Sequence, residues 1–451
     1  MKTAPFPRLT GSSPSSHART QARRRRSDGP RFMAAAALAC AVALTPGCTT
    51  TGGTAATTPR DTPPDNATAL TSTTEKSARA LFDKGRALIQ QGDALEAIAV
   101  FDEFDRQFGQ DAHPGIRALA VQALSLKAQT LGTPAEGAAV IDEIIRRYGG
   151  DVAAPVREQF IRVLFDRAAA LGKQGSPREA IGIYGEIERR YGGENKLWAA
   201  WALFYQGELW RRLHNADAAI AAFDRIGQRF RQEGDGAIRV VVADALFGKG
   251  EILGERGETQ GAIAAYDDLD RLFARDADAA IRLRVLRALF AKGALLGRQG
   301  GGDETGDGFA GAGRQAGDAA AALAVYDDIV RRFGNDTDPN TRNAVALTLL
   351  KKSEAIRQRG DVVSVIGIYD EIVLRFEADS APFARRVVAT ALFRKGQSLN
   401  RQGNIIAANA TFDEIAQRFE YDSDPNVQKI VAQAAAARQR LAIDMEPPHD
   451  N

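Results

Sequence analysis

The 451-residue chain contains few of the residues that build metal centres, disulfides and nucleophilic sites. Its two cysteines, Cys40 and Cys48, both lie near the beginning of the chain. The four histidines are His17, His113, His214 and His449. They are far apart, and none has a partner at the spacing of a metal site or a catalytic triad. The composition therefore predicts a non-catalytic protein without cofactor or metal, in which packing supplies the stability.

Positive charge is concentrated at the amino end. Residues 1–32 contain eight basic residues and one acidic residue, although the formal net charge of the whole chain is only +2. An apolar run, Met33 to Leu44, follows this basic segment and is too short to span a bilayer comfortably. The order of a basic segment, an apolar run and then a cysteine predicts export.

The end of this region, Gly47-Cys48, resembles a bacterial lipoprotein signal. That resemblance implies removal of the leader 1–47, lipidation of Cys48 and anchoring at a membrane of the cell envelope. Cleavage near Ala43 and an uncleaved anchor remain alternatives. The following segment, 48–74, is rich in Thr and Pro and poor in apolar residues, which predicts a disordered tether.

From residue 75 onward the sequence repeats itself. An aromatic or apolar residue followed by an acidic pair, or its equivalent, recurs mostly every 43 residues, and the one interval of 60 contains a Gly-rich insert, residues 300–316. The eight anchor residues are Phe101, Ile141, Tyr184, Phe223, Tyr266, Tyr326, Tyr369 and Phe412. Each copy shows helical periodicity on both sides of a break, often a glycine, which predicts two amphipathic helices per copy.

Small residues recur in both helices of a copy, for example Gly250 in the first and Ala262 in the second. Their order and spacing resemble the tetratricopeptide repeat, although the period exceeds the ~34 residues usual for that family. HEAT-type helix pairs remain an alternative on length. The resemblance implies an all-α, right-handed superhelical solenoid of about eight helix pairs over residues 75–423, in which neighbouring copies bury each other. Residues 424–451 are predicted to form a capping helix and tail.

A column of basic residues precedes the small residue of the first helix in seven of the eight copies, the exception being Gln206. Its members are Lys84, Lys127, Arg167, Lys249, Lys292, Lys352 and Lys395. They could form salt bridges. However, the cation and the aspartate of the same copy do not always occur together, because Arg167 persists where Gly185 replaces the acid. Alternatively, the column could hold an acidic peptide or another polyanion in a groove.

All three tryptophans of the chain lie between Lys196 and Trp210. Trp210 occupies a core position, whereas Trp201 and Tyr205 occupy positions where sister copies carry charged or hydroxyl residues. Exposed Trp and Tyr on one helix face are typical of an interaction hot spot, and Trp198 lies beside them. Alternatively, these rings fold against the preceding copy, because the approach to this helix is about four residues shorter than elsewhere.

Together these features predict a non-catalytic scaffold or adaptor at the bacterial envelope that binds a protein or peptide. Binding of an anionic polymer, such as an envelope polysaccharide or nucleic acid, through the basic column is the alternative, with nucleic acid the weaker candidate.

The lipid anchor is tested by replacing Cys48. We expect Cys48→Ser to move the protein from the membrane fraction to the soluble fraction and to abolish labelling by a fatty-acid probe, because the acylated thiol is lost. Unchanged fractionation of the variant would contradict the lipoprotein hypothesis.

Overall fold

A computed structural model describes residues 66–299 and 308–444, with side chains over 73–298 and 319–441. These residues form 17 α-helices and no β-strand. None of these helices is at once long enough and apolar enough to traverse a bilayer. The predicted leader 1–47 and its Cys48 lie outside the described residues.

The helices alternate between the first and the second helix of a pair and are numbered α1 to α17 in chain order. The first helices are α1 (Asn66–Gln91), α3 (Pro114–Thr130), α5 (Ala154–Gln174), α7 (Lys196–Arg212), α9 (Gly236–Glu255), α11 (Ala279–Gln299), α13 (Pro339–Gln358) and α15 (Pro382–Arg401). The second helices are α2 (Ala94–Phe108), α4 (Pro134–Tyr148), α6 (Pro177–Tyr191), α8 (Ala216–Phe230), α10 (Thr259–Phe273), α12 (Gly308–Phe333), α14 (Val362–Phe376) and α16 (Ile405–Phe419). The last helix, α17 (Pro425–Asp444), caps the array.

Each first helix packs against its own second helix, against the second helix of the preceding pair and against the neighbouring first helices. Second helices of neighbouring pairs contact each other instead through arginine side chains, as where Arg147 binds Asp105 at 2.8 Å. This sequential stacking confirms the predicted all-α, tetratricopeptide-like solenoid, in which each pair buries the apolar face of the next.

A missing side chain on the first helix sets the distance between the two helices of a pair. A Cβ atom on Gly250 would lie 2.4 Å from the Tyr266 ring, and one on Gly85 would lie 2.6 Å from the Phe101 ring. The same approach to the aromatic residue of the second helix occurs at Gly207, Gly293 and Gly396. These distances are too short for real Cβ contacts, so the aromatic ring occupies the volume that a side chain would need.

Most breaks between paired helices have a left-handed backbone at glycine. Five glycines in these turns have φ between 77° and 91°. They are Gly92, Gly175, Gly257, Gly360 and Gly403. The turn between α7 and α8 instead uses His214, with φ of 56°, a conformation that costs a non-glycine residue about 1–2 kcal/mol.

Two helices begin within the segments named above as the tether and the insert. Helix α1 begins at Asn66, so residues 66–74 of the predicted tether are helical. Helix α12 begins at Gly308, so residues 308–316 of the insert extend this second helix, while residues 300–307 are outside the described part of the chain. Neither stretch contains proline, and each leads directly into a packed helix, so no proline interrupts backward extension of that helix.

The contact between Gly250 and Tyr266 is tested by substituting both residues. We expect Gly250→Ala to lower the free energy of unfolding by about 1–3 kcal/mol, although alanine favours helix, because the methyl group overlaps the ring. Tyr266→Ile should relieve the overlap, since the second pair places Ala128 and Ile141 at these positions. In urea unfolding, the double variant should therefore lose less stability than the two single variants together.

Gly227 provides the matched control, because no atom lies within 4 Å of a Cβ built there. Gly227→Ala should be neutral or stabilising by up to about 1 kcal/mol, as expected for helix propensity alone. Equal effects of alanine at Gly227 and Gly250 would contradict the steric explanation.

Candidate partner-binding surface

Six of the seven residues in the basic column form ion pairs with an aspartate of the preceding helix pair. The nitrogen–oxygen distances are 3.0 Å for Arg167 to Asp142, 2.6 Å for Lys249 to Asp224 and 2.5 Å for Lys292 to Asp267. The other members of this ladder are Lys127 with Asp102, Lys352 with Asp327 and Lys395 with Asp370. Lys84, in the first pair, makes no ion pair among the described residues.

Comparison within one copy suggests that each cation pairs with the aspartate of its own helix pair. In the structure, the aspartate belongs to the preceding pair. Arg167 persists beside Gly185 because its carboxylate is Asp142 of the preceding pair. Where the earlier pair has Gly185, the column has the neutral Gln206, whose Nε2 donates a hydrogen bond to the Ile181 carbonyl at 3.0 Å. A cation is thus present where the preceding pair has an aspartate, and it is absent where that aspartate is replaced. Each of the six paired cations already lies next to an anion.

The predicted aromatic residues lie on α7, a helix of 17 residues where most first helices have 20 or 21. Trp198 and Tyr205 pack against the preceding pair. The Phe165 ring centroid lies 5.0 Å from that of Trp198 and 5.4 Å from that of Tyr205, and Tyr205 stacks on the buried Tyr184 at 5.7 Å. The shorter helix and its close approach therefore place these two rings against the third pair.

Trp201 lies at the outer end of this stack. Its ring is stacked on Tyr205 at 5.7 Å and meets Phe204 edge-on at 5.8 Å, and both of these residues belong to its own helix. Trp201 is half-buried, so part of the indole faces solvent. The stack of Tyr184, Tyr205 and Trp201 thus runs from the interior to the surface formed by the first helices.

The position of Trp201 in the seventh pair is occupied by Leu347, which sequence comparison did not single out. Leu347 is 42% exposed, so it adds apolar surface to this helix face. Both residues precede the small residue of their helix, Gly207 or Ser353, by six positions, so they lie on corresponding helix faces. Other pairs have Arg162, Asp244 and Thr390 at this position. Comparison of the repeats therefore does not identify the position as apolar.

We call this outward face of the first helices the first-helix stripe. It comprises Trp201, Tyr205 and Glu208 on α7, Asp244 and Glu251 on α9, Arg287 on α11, Leu347, Lys351 and Glu354 on α13, and Thr390 and Arg394 on α15. These positions recur at spacings of three or four residues, so within each helix they share a face. That face points away from the glycine that contacts the second helix.

Asp166 occupies the register of Tyr205 on the neighbouring helix α5. Its side chain is exposed, yet the surrounding protein desolvates the carboxyl group and raises its pKa, while Arg162 and Lys173 act in the opposite direction. It has no hydrogen bond or ion pair within the described residues. A carboxylate thus lies beside the aromatic stack without a cationic partner.

Nothing in the described side chains suggests a metal centre, since no group of three or more His, Cys, Asp or Glu residues is placed to hold an ion. The arrangement offers aromatic surface and charge for binding, without a nucleophile and base in contact. The binding roles predicted for the basic column and for Trp198, Trp201 and Tyr205 remain predictions.

No protein-family profile and no curated protein matches the chain. Among solved structures, the apo form of RapI aligns with a TM-score of 0.42 and 10% identity over 81% of this chain and 98% of that protein. The apo form of the quorum sensor NprR from B. thuringiensis aligns with a TM-score of 0.38 and 11% identity over 82% of this chain and 99% of that protein. A tetratricopeptide repeat protein from Parabacteroides merdae aligns with a TM-score of 0.32 and 14% identity over 70% of this chain and 99% of that protein. At these values the similarity is a distant one in helical arrangement.

The offset ladder is tested by completing it at its gap. We expect the free energy of unfolding to show favourable coupling of about 0.2–1 kcal/mol between Gly185→Asp and Gln206→Lys in a double-mutant cycle, because the new charges meet across the pair boundary. Urea unfolding in 1 M NaCl should remove most of this coupling.

The matched control replaces Gly185→Asp by the uncharged Gly185→Asn in the same cycle, and its coupling to Gln206→Lys should be near zero. If Gly185→Asp couples instead to Arg167, measured with Arg167→Gln, the pairing lies within one copy and the offset register is wrong.

Proposed function

We propose that this chain is a non-catalytic scaffold that binds a protein or peptide at the bacterial cell envelope, held there by a lipid on Cys48. The observation that carries the binding proposal is the aromatic stack that ends at Trp201 on the first-helix stripe. Half-buried tryptophan with tyrosine offers a large rigid surface at low entropic cost, as in binding hot spots. The export-type leader of the sequence supports the envelope location.

The polyanion alternative has less support. Six of the seven cations proposed to hold an anionic polymer lie within ion-pairing distance of an aspartate. A polyanion would have to displace these carboxylates, and each displaced charge would then lie unpaired beside the ligand. The first-helix stripe demands no such rearrangement, since Trp201 and Leu347 already face solvent in part.

Binding through the stripe is tested by photo-crosslinking in intact cells. Benzoylphenylalanine placed at Leu347 lies on the stripe, whereas the same residue placed at Leu374, which is 76% exposed on second helix α14, lies away from it. We expect a discrete crosslinked product from position 347 and none from position 374.

The same experiment with Trp201→Ala tests the anchor. We expect this substitution to remove the product at position 347, because truncating a central aromatic residue weakens a complex by ~2 kcal/mol or more. The melting temperature should fall less than for a fully buried tryptophan, because the indole is only half-buried where it packs against an apolar core cluster.

A large loss of melting temperature with unchanged crosslinking would show that Trp201 stabilises the fold and does not anchor a partner. Equal products from positions 347 and 374 would contradict a role of the stripe in binding.

A further inference from the structure

The charges of the first-helix stripe are segregated along the array. On α7 and α9, Arg211 lies between carboxylates, at 3.0 Å from Glu208 and 3.5 Å from Glu251. Glu255 adds a third carboxylate to this group. Desolvation raises the pKa of Glu251; Arg211 and, from α11, Arg287 oppose this shift, and Glu208 and Glu255 reinforce it. On α7 and α9 the carboxylates of the stripe therefore outnumber Arg211, although Arg284 of α11 binds Asp244.

Two pairs further along, the balance is reversed. On α13 the single carboxylate Glu354 binds Lys351 at 3.0 Å. Arg394 on α15 and Arg357 on α13 lie close enough to act on the same carboxylate, and all three cations lower its pKa, with the hydrogen bond from Lys351 as the first cause. Glu251 and Glu354 each directly follow the small residue of their helix, so the two groups occupy one register.

Helix α11 separates the two charged groups. It contributes Ala291, Ala294 and the exposed Arg287, and Leu347 on α13 exposes an apolar side chain. From α9 to α13 the stripe crosses two helix spacings of about 10 Å each, or about 20 Å in all. An extended chain covers this distance with roughly six residues.

We propose that the first-helix stripe binds an extended peptide segment whose basic end lies over α7 and α9 and whose acidic end, roughly six residues away, lies over α13 and α15. This inference rests on the proposed binding function and specifies the partner. A basic side chain of the segment covers the indole of Trp201, where a cation favours the face of the ring. A uniformly anionic or uniformly cationic polymer is repelled at one of the two ends.

The test selects binders from random dodecapeptides displayed on phage, with the purified full-length protein as target. A parallel selection uses Trp201→Ala as target, and sequences that this variant also retains are discarded. We expect the remaining peptides to carry Arg or Lys near one end and Asp or Glu near the other, with one order along the chain predominating.

A consensus peptide from the selection is then measured against charge variants. Glu251→Gln and Arg394→Gln should each weaken its binding roughly three- to fivefold at low salt, as expected for exposed ion pairs. The matched controls Glu179→Gln and Arg189→Gln, on second helix α6, should not change it. A peptide with the same composition and its charges interspersed should bind more weakly.

The outcomes separate the two levels of the proposal. Peptides that depend on Trp201 but carry no segregated charge would overturn the charge assignment and leave peptide binding intact. If every enriched sequence is also retained by Trp201→Ala, so that none remains after the comparison, the stripe is overturned as a binding site and, with it, the inference about its partner.

Discussion

The fold depends on the contact of a second-helix aromatic ring with a place on the first helix that has almost no side chain. Where the first helix has glycine, the ring occupies the volume of the missing Cβ, as for Gly396 and Phe412. The same register combines Ala128 with Ile141, Ala168 with Tyr184 and Ser353 with Tyr369. A small residue thus meets a large one in every pair, and this contact helps to fix how closely the two helices approach and which faces remain for neighbouring pairs.

Because the small residue directs one face of the first helix to its own partner, the adjacent residue is directed to the pair before it. This geometry produces the ladder of Lys and Asp that crosses each boundary, for example Lys395 with Asp370 at 2.6 Å. The ladder even continues into the cap, where Arg438 binds Asp413. Six cations of the column are thus used in stacking, and the opposite face of the first helices takes no part in this ladder.

Much of this architecture could be predicted from local signals. The repeat period, the left-handed glycines such as Gly257 and the cap of Asp338, which accepts a hydrogen bond from the Thr341 amide at 2.8 Å, all follow from residues close together in sequence. The partner of Arg167 could not be predicted in this way, because it lies in another pair and becomes evident only when the pairs are stacked. The exposure of Leu347 could not be predicted either, since a leucine in a helix is ordinarily assigned to the core.

The boundary between the third and fourth pairs shows what replaces the ladder when it is absent. Gln206 is 9% exposed, so a lysine there would bring its charge into a largely buried site with no aspartate opposite. The neutral amide avoids that cost, and the stack of Tyr184 on Tyr205 supplies contact area across the boundary in place of an ion pair. Helix α7 also lies between two apolar clusters, with Ala202 and Leu209 in one and Ala199 and Leu203 in the other. A partner that covers Trp201 therefore contacts the outer member of the stack that joins these two parts of the core.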